Sequence, residues 1–152
     1  MCAIADFEGL VTESDEANNT GCVSVQVLPQ ASTCPLSQGF WKNHPGAWPV
    51  DAIVLGNHTY AKDELLGLLR TPVRGDASLI LAHQLIAAKL NVLAGADPTP
   101  VAAAISQADA LLQAAGGVVP LGVKPSTPTG QAMVDVASTL DLFNNGSLSR
   151  GC

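Results

Sequence analysis

The sequence predicts a mainly α-helical domain of about four helices with a short β-hairpin, preceded by a separate N-terminal β-hairpin. Apolar residues make up 47% of the 152 residues and charged residues only 13%, so the chain can bury a sizeable core. Helix start and stop signals divide residues 62–144 into segments with short connections. Residues 20–27 instead alternate apolar and polar side chains, which is the period of a strand.

The N-terminal hairpin is expected to pair a strand over residues 2–7 with the alternating strand over residues 20–27, across a polar loop. An isolated hairpin is marginal in water and needs a sheet or another chain to pair with. The loop carries Glu13, Asp15 and Glu16. These carboxylates could hold calcium, but such a run is more often a solvated face.

Residues 11–20 read Val-Thr-Glu-Ser-Asp-Glu-Ala-Asn-Asn-Thr and precede alternating valines. This run resembles the last hairpin of the adhesion-related bacterial Ig-like domain called CARDB. The resemblance implies that residues 1–28 are the terminal hairpin of such a repeat in a larger surface protein. Its unpaired strand edges would suit pairing with a neighbouring copy, giving a homo-oligomer, or with other surface proteins.

A linker over residues 29–33, rich in Pro, Ser and Thr, leads to the main domain over residues 34–152. The first expected element is a short helix from Leu36 to Asn43 with Ser37 as its cap. A small hairpin from Ile53 to Tyr60 follows, turning at Gly56 and Asn57.

Four longer helices complete the expected domain, each bounded by capping residues, proline or glycine. The most apolar of them, the second, should lie at the centre of the domain. The expected spans are Lys62–Arg70, a segment opened by Asp76 or Ser78 and running to about Ala94, residues 100–115 with Thr99 as N-cap, and Thr129 to about Asn144.

Residues 34–49 read Cys-Pro-Leu-Ser-Gln-Gly-Phe-Trp-Lys-Asn-His-Pro-Gly-Ala-Trp-Pro. This segment resembles the QGFWKNHP…WP segment near the C-termini of many secreted bacterial surface proteins. The resemblance continues through residues 66–75 and 81–91 and covers nearly all of residues 34–152. It implies a location and an architecture and, because no function of that family is established, no chemistry.

The four cysteines indicate an exported protein with disulfides, at an extracellular or cell-surface location. They form no CxxC pair, which argues against a zinc knuckle or a thioredoxin-type motif. Of the three pairings, sequence order favours Cys2–Cys22 with Cys34–Cys152. Four free, buried thiols are the alternative.

The formal charge of −6 argues against partners that attract cations, namely nucleic acid and anionic membrane surfaces. No apolar run in the sequence is long enough for a transmembrane segment.

The histidines are the candidate ligands for zinc or a similar divalent metal. His44 and His83 would bind it, with His58 or a carboxylate (Asp51 or Asp76) as the third ligand. A three-ligand site leaves a position open for water, so a small metal-dependent hydrolase is one alternative function. The competing interpretation is structural: His83 bonds a backbone carbonyl and His44 anchors the loop between the tryptophans. The sequence contains no HExxH-type spacing. The main expectation is that the chain binds no cofactor.

Polar residues form a stripe on the otherwise apolar helix that carries His83. The stripe comprises Asp76, Gln84 and Asn91 as well as the histidine. Because an unpaired buried polar group costs about 1–3 kcal/mol, these side chains must find partners.

Four of the six aromatic residues lie between Phe40 and Tyr60. Trp41 and Trp48 could stack on sugar rings and make a glycan-binding module, or they could form the core of this half of the domain. The function that the whole sequence favours is a non-catalytic module of an exported bacterial surface protein, acting in display, adhesion or assembly.

Overall fold

The computed structural model describes residues 3–4, 20–21 and 33–152. The chain divides into two compact units, Met1–Ala31 and Ser32–Cys152. In the first unit, strand β1 (Ala3–Ile4) pairs antiparallel with strand β2 (Thr20–Gly21), with Ala3 opposite Gly21 and Ile4 opposite Thr20. The predictions for Cys2, Cys22 and the acidic residues Glu13, Asp15 and Glu16 lie outside the described residues.

The second unit is mainly helical with one short antiparallel hairpin, which confirms the predicted fold class. A single 3₁₀ turn (Pro45–Ala47) follows the first helix. The elements in the described part of this unit are α1 (Gln38–Asn43), β3 (Ala52–Leu55), β4 (His58–Ala61), α2 (Lys62–Arg70), α3 (Ala77–Leu93), α4 (Ala102–Ala115) and α5 (Pro128–Asn144).

The β3–β4 hairpin turns at the predicted pair, Gly56 and Asn57, with Leu55 opposite His58. Gly56 has φ +65°, a conformation that glycine adopts without strain. A side chain there would also meet the backbone nitrogen of Gln113 on α4, at 3.2 Å from its Cβ. The close approach lets the hairpin lie against the helices.

Side-chain caps explain where three of the five described helices begin. The Ser37 hydroxyl accepts a hydrogen bond from Phe40 N–H at α1, and the Asp76 carboxylate accepts one from Ser78 N–H at α3. At α5 the cap is Thr127, which accepts from Gly130 N–H, and Pro128 takes the first helical position.

The predicted cap of α4 is wrong. The Thr99 hydroxyl and backbone N–H both donate to the carboxylate of Asp97, at 2.7 and 2.9 Å. This Asx turn occupies the side chain that was expected to cap the helix. The helix therefore begins at Ala102, after Val101, whose side chain makes no capping bond.

Helix α3 lies at the centre of the helical unit, as its composition predicts. It packs against the other four helices described and against β3. Twelve of its seventeen residues are buried. The largest buried apolar side chains on it are Leu79, Leu81, Leu85, Ile86 and Leu90.

The Cys34–Cys152 disulfide is present and joins residues 118 positions apart in the sequence. Both cysteines are exposed. Among the helices of the described ranges, none has the length and apolar character needed to cross a bilayer.

Candidate functional site

Asn91 is the centre of a buried polar network on α3. Its side chain is 2% exposed. Its Oδ1 accepts from Leu36 N–H at 2.8 Å and from the Trp41 indole N–H at 3.0 Å. Its Nδ2 donates to the Leu36 carbonyl at 2.8 Å and to Asn144 Oδ1 at 3.0 Å. One amide thus joins the segment before α1, α1 itself, α3 and α5.

Asn144 extends this network to a second residue of α3. It is 1% exposed, and its Nδ2 donates to the backbone carbonyl and the side-chain oxygen of Gln84, at 3.0 and 2.9 Å. Each donor meets an acceptor in this series of hydrogen bonds, which runs from Gln84 through Asn144 to Asn91 and Trp41. The network therefore holds α5 in register with α3.

His83 makes the backbone bond that the structural interpretation anticipates. Its Nε2 lies 2.7 Å from the Leu68 carbonyl oxygen. Because a carbonyl only accepts, Nε2 carries the proton. Burial lowers the pKa of His83, the Leu68 hydrogen bond opposes this, and the positive charge of Lys42 lowers it further. The neutral His83 ring thus joins α3 to α2 through its hydrogen bond to Leu68.

Asp76 and Ser78 form a clamp on the loop before α5. The Asp76 carboxylate accepts from the backbone N–H groups of Gly122 and Val123, at 2.9 and 3.1 Å, and from the Ser78 hydroxyl at 2.7 Å. The Ser78 oxygen in turn accepts from Leu121 N–H at 2.9 Å. Although burial raises the pKa of Asp76, the hydrogen bonds from Ser78, Gly122 and Val123 outweigh it and lower the pKa overall.

Lys89 and Asp109 tie α3 and α4 to the β3–β4 hairpin. The shortest distance between the Lys89 ammonium and the Asp109 carboxylate is 2.7 Å. The ammonium also donates to the Val54 carbonyl at 2.6 Å, and Asp109 accepts from Gly56 N–H at 2.8 Å. The two charged side chains therefore hold α3, α4 and the β3–β4 hairpin together.

Trp41 and Trp48 lie in the core, with exposures of 2% and 8%. The Trp48 indole N–H donates to the Trp41 carbonyl at 2.8 Å, and the Lys62 ammonium lies 5.7 Å from the centre of the Trp48 ring. A sugar stacks on an open aromatic face, and these two rings are packed in the core. The burial of both rings favours the interpretation that the aromatic cluster forms part of the core.

His44 and His58 lie at the surface, in separate settings. The His44 ring stacks on Phe40 with centroids 4.3 Å apart, and its Nδ1 lies 2.9 Å from the Phe40 carbonyl oxygen. The His58 ring packs edge-on against Tyr60 at 4.6 Å. Within the described residues, no group of three or more His, Cys, Asp or Glu side chains is placed to hold a metal ion. The structure does not bring His44, His58 and His83 together with Asp51 or Asp76 into such a group.

A groove of about 440 Å³ lies between α4 and α5. Small side chains make up part of its lining, and Gln107, Asp135 and Thr139 contribute polar atoms. The predicted site residues do not line this groove.

The sequence prediction did not include Asn144 or the Lys89–Asp109 pair. Asn144 falls in helical phase with the buried residues Met133, Val136, Ala137 and Leu140. A polar residue on an apolar face is the signal that could have identified it. Lys89 and Asp109 lie on different helices, 20 positions apart in the sequence, and no local sequence pattern identifies the pair.

Comparisons of this chain with sequence families, with curated proteins and with solved structures found no match.

Proposed function

We propose that this chain is a non-catalytic module of an exported bacterial surface protein and acts in display, adhesion or assembly. The observation that carries the proposal is the Cys34–Cys152 disulfide, which lies at the surface of the helical unit. An exposed disulfide persists in an oxidising compartment and is rare in the cytosol, where thiols are kept reduced.

The bonding of the polar side chains supports a non-catalytic role. Within the described residues, every buried side-chain nitrogen and oxygen has a hydrogen-bond partner. Catalytic groups are commonly held ready for a substrate, whereas Asn91, His83 and Asp76 are bonded to the fold itself. The hydrolase alternative requires a ligand group that this part of the chain does not assemble.

The resemblance of residues 34–49 to the QGFWKNHP…WP segment supports a bacterial surface protein as the setting. The resemblance of residues 11–20 to a CARDB-type repeat supports the same setting, because such repeats belong to adhesion-related proteins. Two independent segments of the chain therefore favour one location.

Assembly would proceed through the N-terminal unit. The antiparallel pairing of Ala3 with Gly21 and of Ile4 with Thr20 is consistent with a hairpin whose outer edges can add to a sheet in another copy. Deleting residues 1–30 should convert an oligomer into a monomer in sedimentation velocity. An oligomer that survives the deletion would contradict this route.

Surface location is tested on intact cells of the source organism with an antibody raised against residues 33–152. The proposal expects labelling of intact cells, and peptide mapping under non-reducing conditions should recover Cys34 linked to Cys152. Labelling that requires lysis, with both cysteines reduced in the native protein, would overturn it.

A further inference from the structure

Basic side chains lie together at the end of the helical unit where α3 and α5 begin. Two segments form this end, residues 70–78 and residues 121–130, and they carry three basic residues and one acidic residue. The basic residues are Arg70, Arg74 and Lys124, and all three are exposed. We call the surface formed by these three side chains the basic end.

Hydrogen bonds join the two segments of the basic end. Ala77 N–H donates to the Val123 carbonyl at 2.7 Å, which brings the backbone after Arg74 beside Lys124. The Lys124 carbonyl in turn accepts from Thr127 N–H at 3.0 Å, so Lys124 lies next to the cap of α5.

Arg70 belongs to the same surface. It is the last residue of α2 and lies four positions before Arg74, and a segment of that length spans at most about 14 Å. Asp76 is the one acid in the two segments, and its carboxylate accepts hydrogen bonds from the backbone of Gly122 and Val123. The segments of the basic end therefore carry a net positive charge.

The side chains of the basic end form no ion pair with another described residue. Among residues 33–152, the one ion pair joins Lys89 to Asp109. The N-terminus of α5 adds partial positive charge, because no acidic residue lies in its first turn. The basic end should therefore attract an anionic partner.

The complementary charge lies in the N-terminal unit. All seven basic residues of the chain lie within residues 32–152, and residues 1–31 contain neither lysine nor arginine. The N-terminal unit instead carries five acidic residues, which are Asp6, Glu8, Glu13, Asp15 and Glu16. One chain thus supplies both a basic surface and an acidic segment, and opposite charges of this kind steer association and set its register.

We propose that the basic end binds the acidic N-terminal unit of a neighbouring copy and so joins copies head to tail. The two surfaces that meet are different, so the contact is heterologous, and it builds open chains unless the rotation between copies closes a ring. This inference rests on the proposed assembly through the N-terminal unit, and it names the surface of the neighbouring copy that receives that unit.

Sedimentation velocity of the full chain measures the contact in low salt, where charges are screened least. Arg70→Glu/Arg74→Glu/Lys124→Glu should raise the dissociation constant for self-association at least about tenfold, because each reversal replaces an attraction by a repulsion. The single variant Arg74→Glu is paired with Arg150→Glu, which reverses an exposed arginine outside the basic end. Self-association that weakens equally in these two single variants would overturn the proposal.

A mixing experiment shows whether the contact joins separate copies. Glu13→Lys/Asp15→Lys/Glu16→Lys should also lose self-association, because its N-terminal unit no longer carries the complementary charge. An equimolar mixture of the two triple variants should associate again, since the lysines of one protein meet the glutamates of the other. A mixture that stays monomeric, with both variants folded by circular dichroism, would refute the contact.

The deletion of residues 1–30 described above separates this inference from the proposed assembly. An oligomer that the deletion abolishes but the triple reversal at the basic end leaves intact would overturn the basic end alone. An oligomer that survives the deletion, or a wild-type chain that is monomeric in low salt, would overturn both. Loss of the oligomer in the deletion and in the triple reversal, with recovery in the mixture, is the expected result.

Discussion

The side-chain amide of Asn91 pairs with the backbone of Leu36 in both directions, its Oδ1 accepting from the N–H and its Nδ2 donating to the carbonyl, each at 2.8 Å. The two residues are 55 positions apart. This pairing satisfies a backbone segment that belongs to no helix or strand. It places residues 34–37 against the end of α3, and the Trp41 indole shares the same oxygen.

Replacing Asn91 with alanine should destabilise the helical unit by at least about 3 kcal/mol, because the Trp41 indole, the Asn144 oxygen and the Leu36 backbone all lose their partner. Urea unfolding followed by tryptophan fluorescence measures this. Gln131→Ala is the control, since Gln131 is exposed and its side chain donates to Asp135 on the same helix, α5. It should change stability by less than about 0.5 kcal/mol. Equal losses in the two variants would contradict a central role for Asn91.

Asp76 should make the domain sensitive to acid. Its pKa in the folded protein is lowered from 3.8, so the ionised carboxylate stabilises the fold above that pH. The stabilisation is lost as the pH falls through the folded pKa. Urea midpoints of wild type and Asp76→Asn should therefore differ at neutral pH and converge in acid. Ser78→Ala removes a donor to the carboxylate and so raises the folded pKa of Asp76 toward its ordinary value. The acid loss of stability in this variant should therefore be smaller and should be complete at a higher pH.

His83 should titrate below its ordinary pKa of 6.5, because burial disfavours the imidazolium and Lys42 repels it. The neutral ring therefore contributes fully to stability above pH 6.5, and this contribution declines as the pH falls from 6.5 toward the folded pKa. Proton NMR of the imidazole ring, assigned with His83→Gln, measures the midpoint. A midpoint at or above 6.5 would contradict a buried neutral histidine bonded to Leu68.

Local chemistry accounts for the parts of the fold that the sequence could predict. Gly56 and Asn57 mark the hairpin turn, and Lys62–Arg70 is bounded as expected because Pro72 follows it. The predicted cap of α4 is wrong because the Thr99 hydroxyl donates to Asp97, two residues earlier in the chain, and makes no capping bond to the helix. A side chain that competes for a capping residue in this way produces no periodic pattern in the sequence.

The site shows the same division between local and long-range information. The polar stripe on α3 predicts that Asp76, His83, Gln84 and Asn91 need partners, and each has one. The partners themselves, Gly122, Leu68, Asn144 and Leu36, are set by packing between distant segments, so no local pattern in the sequence identifies them.

We propose that His83 and the polar residues of α3 stabilise the fold and bind no metal ion. Elemental mass spectrometry of the dialysed protein tests it most directly, on wild type and on His83→Ala, with circular dichroism as the control for folding. We expect no stoichiometric transition metal in either protein. About one zinc per chain in wild type, lost in a folded His83→Ala protein, would contradict it and favour the metal-dependent hydrolase.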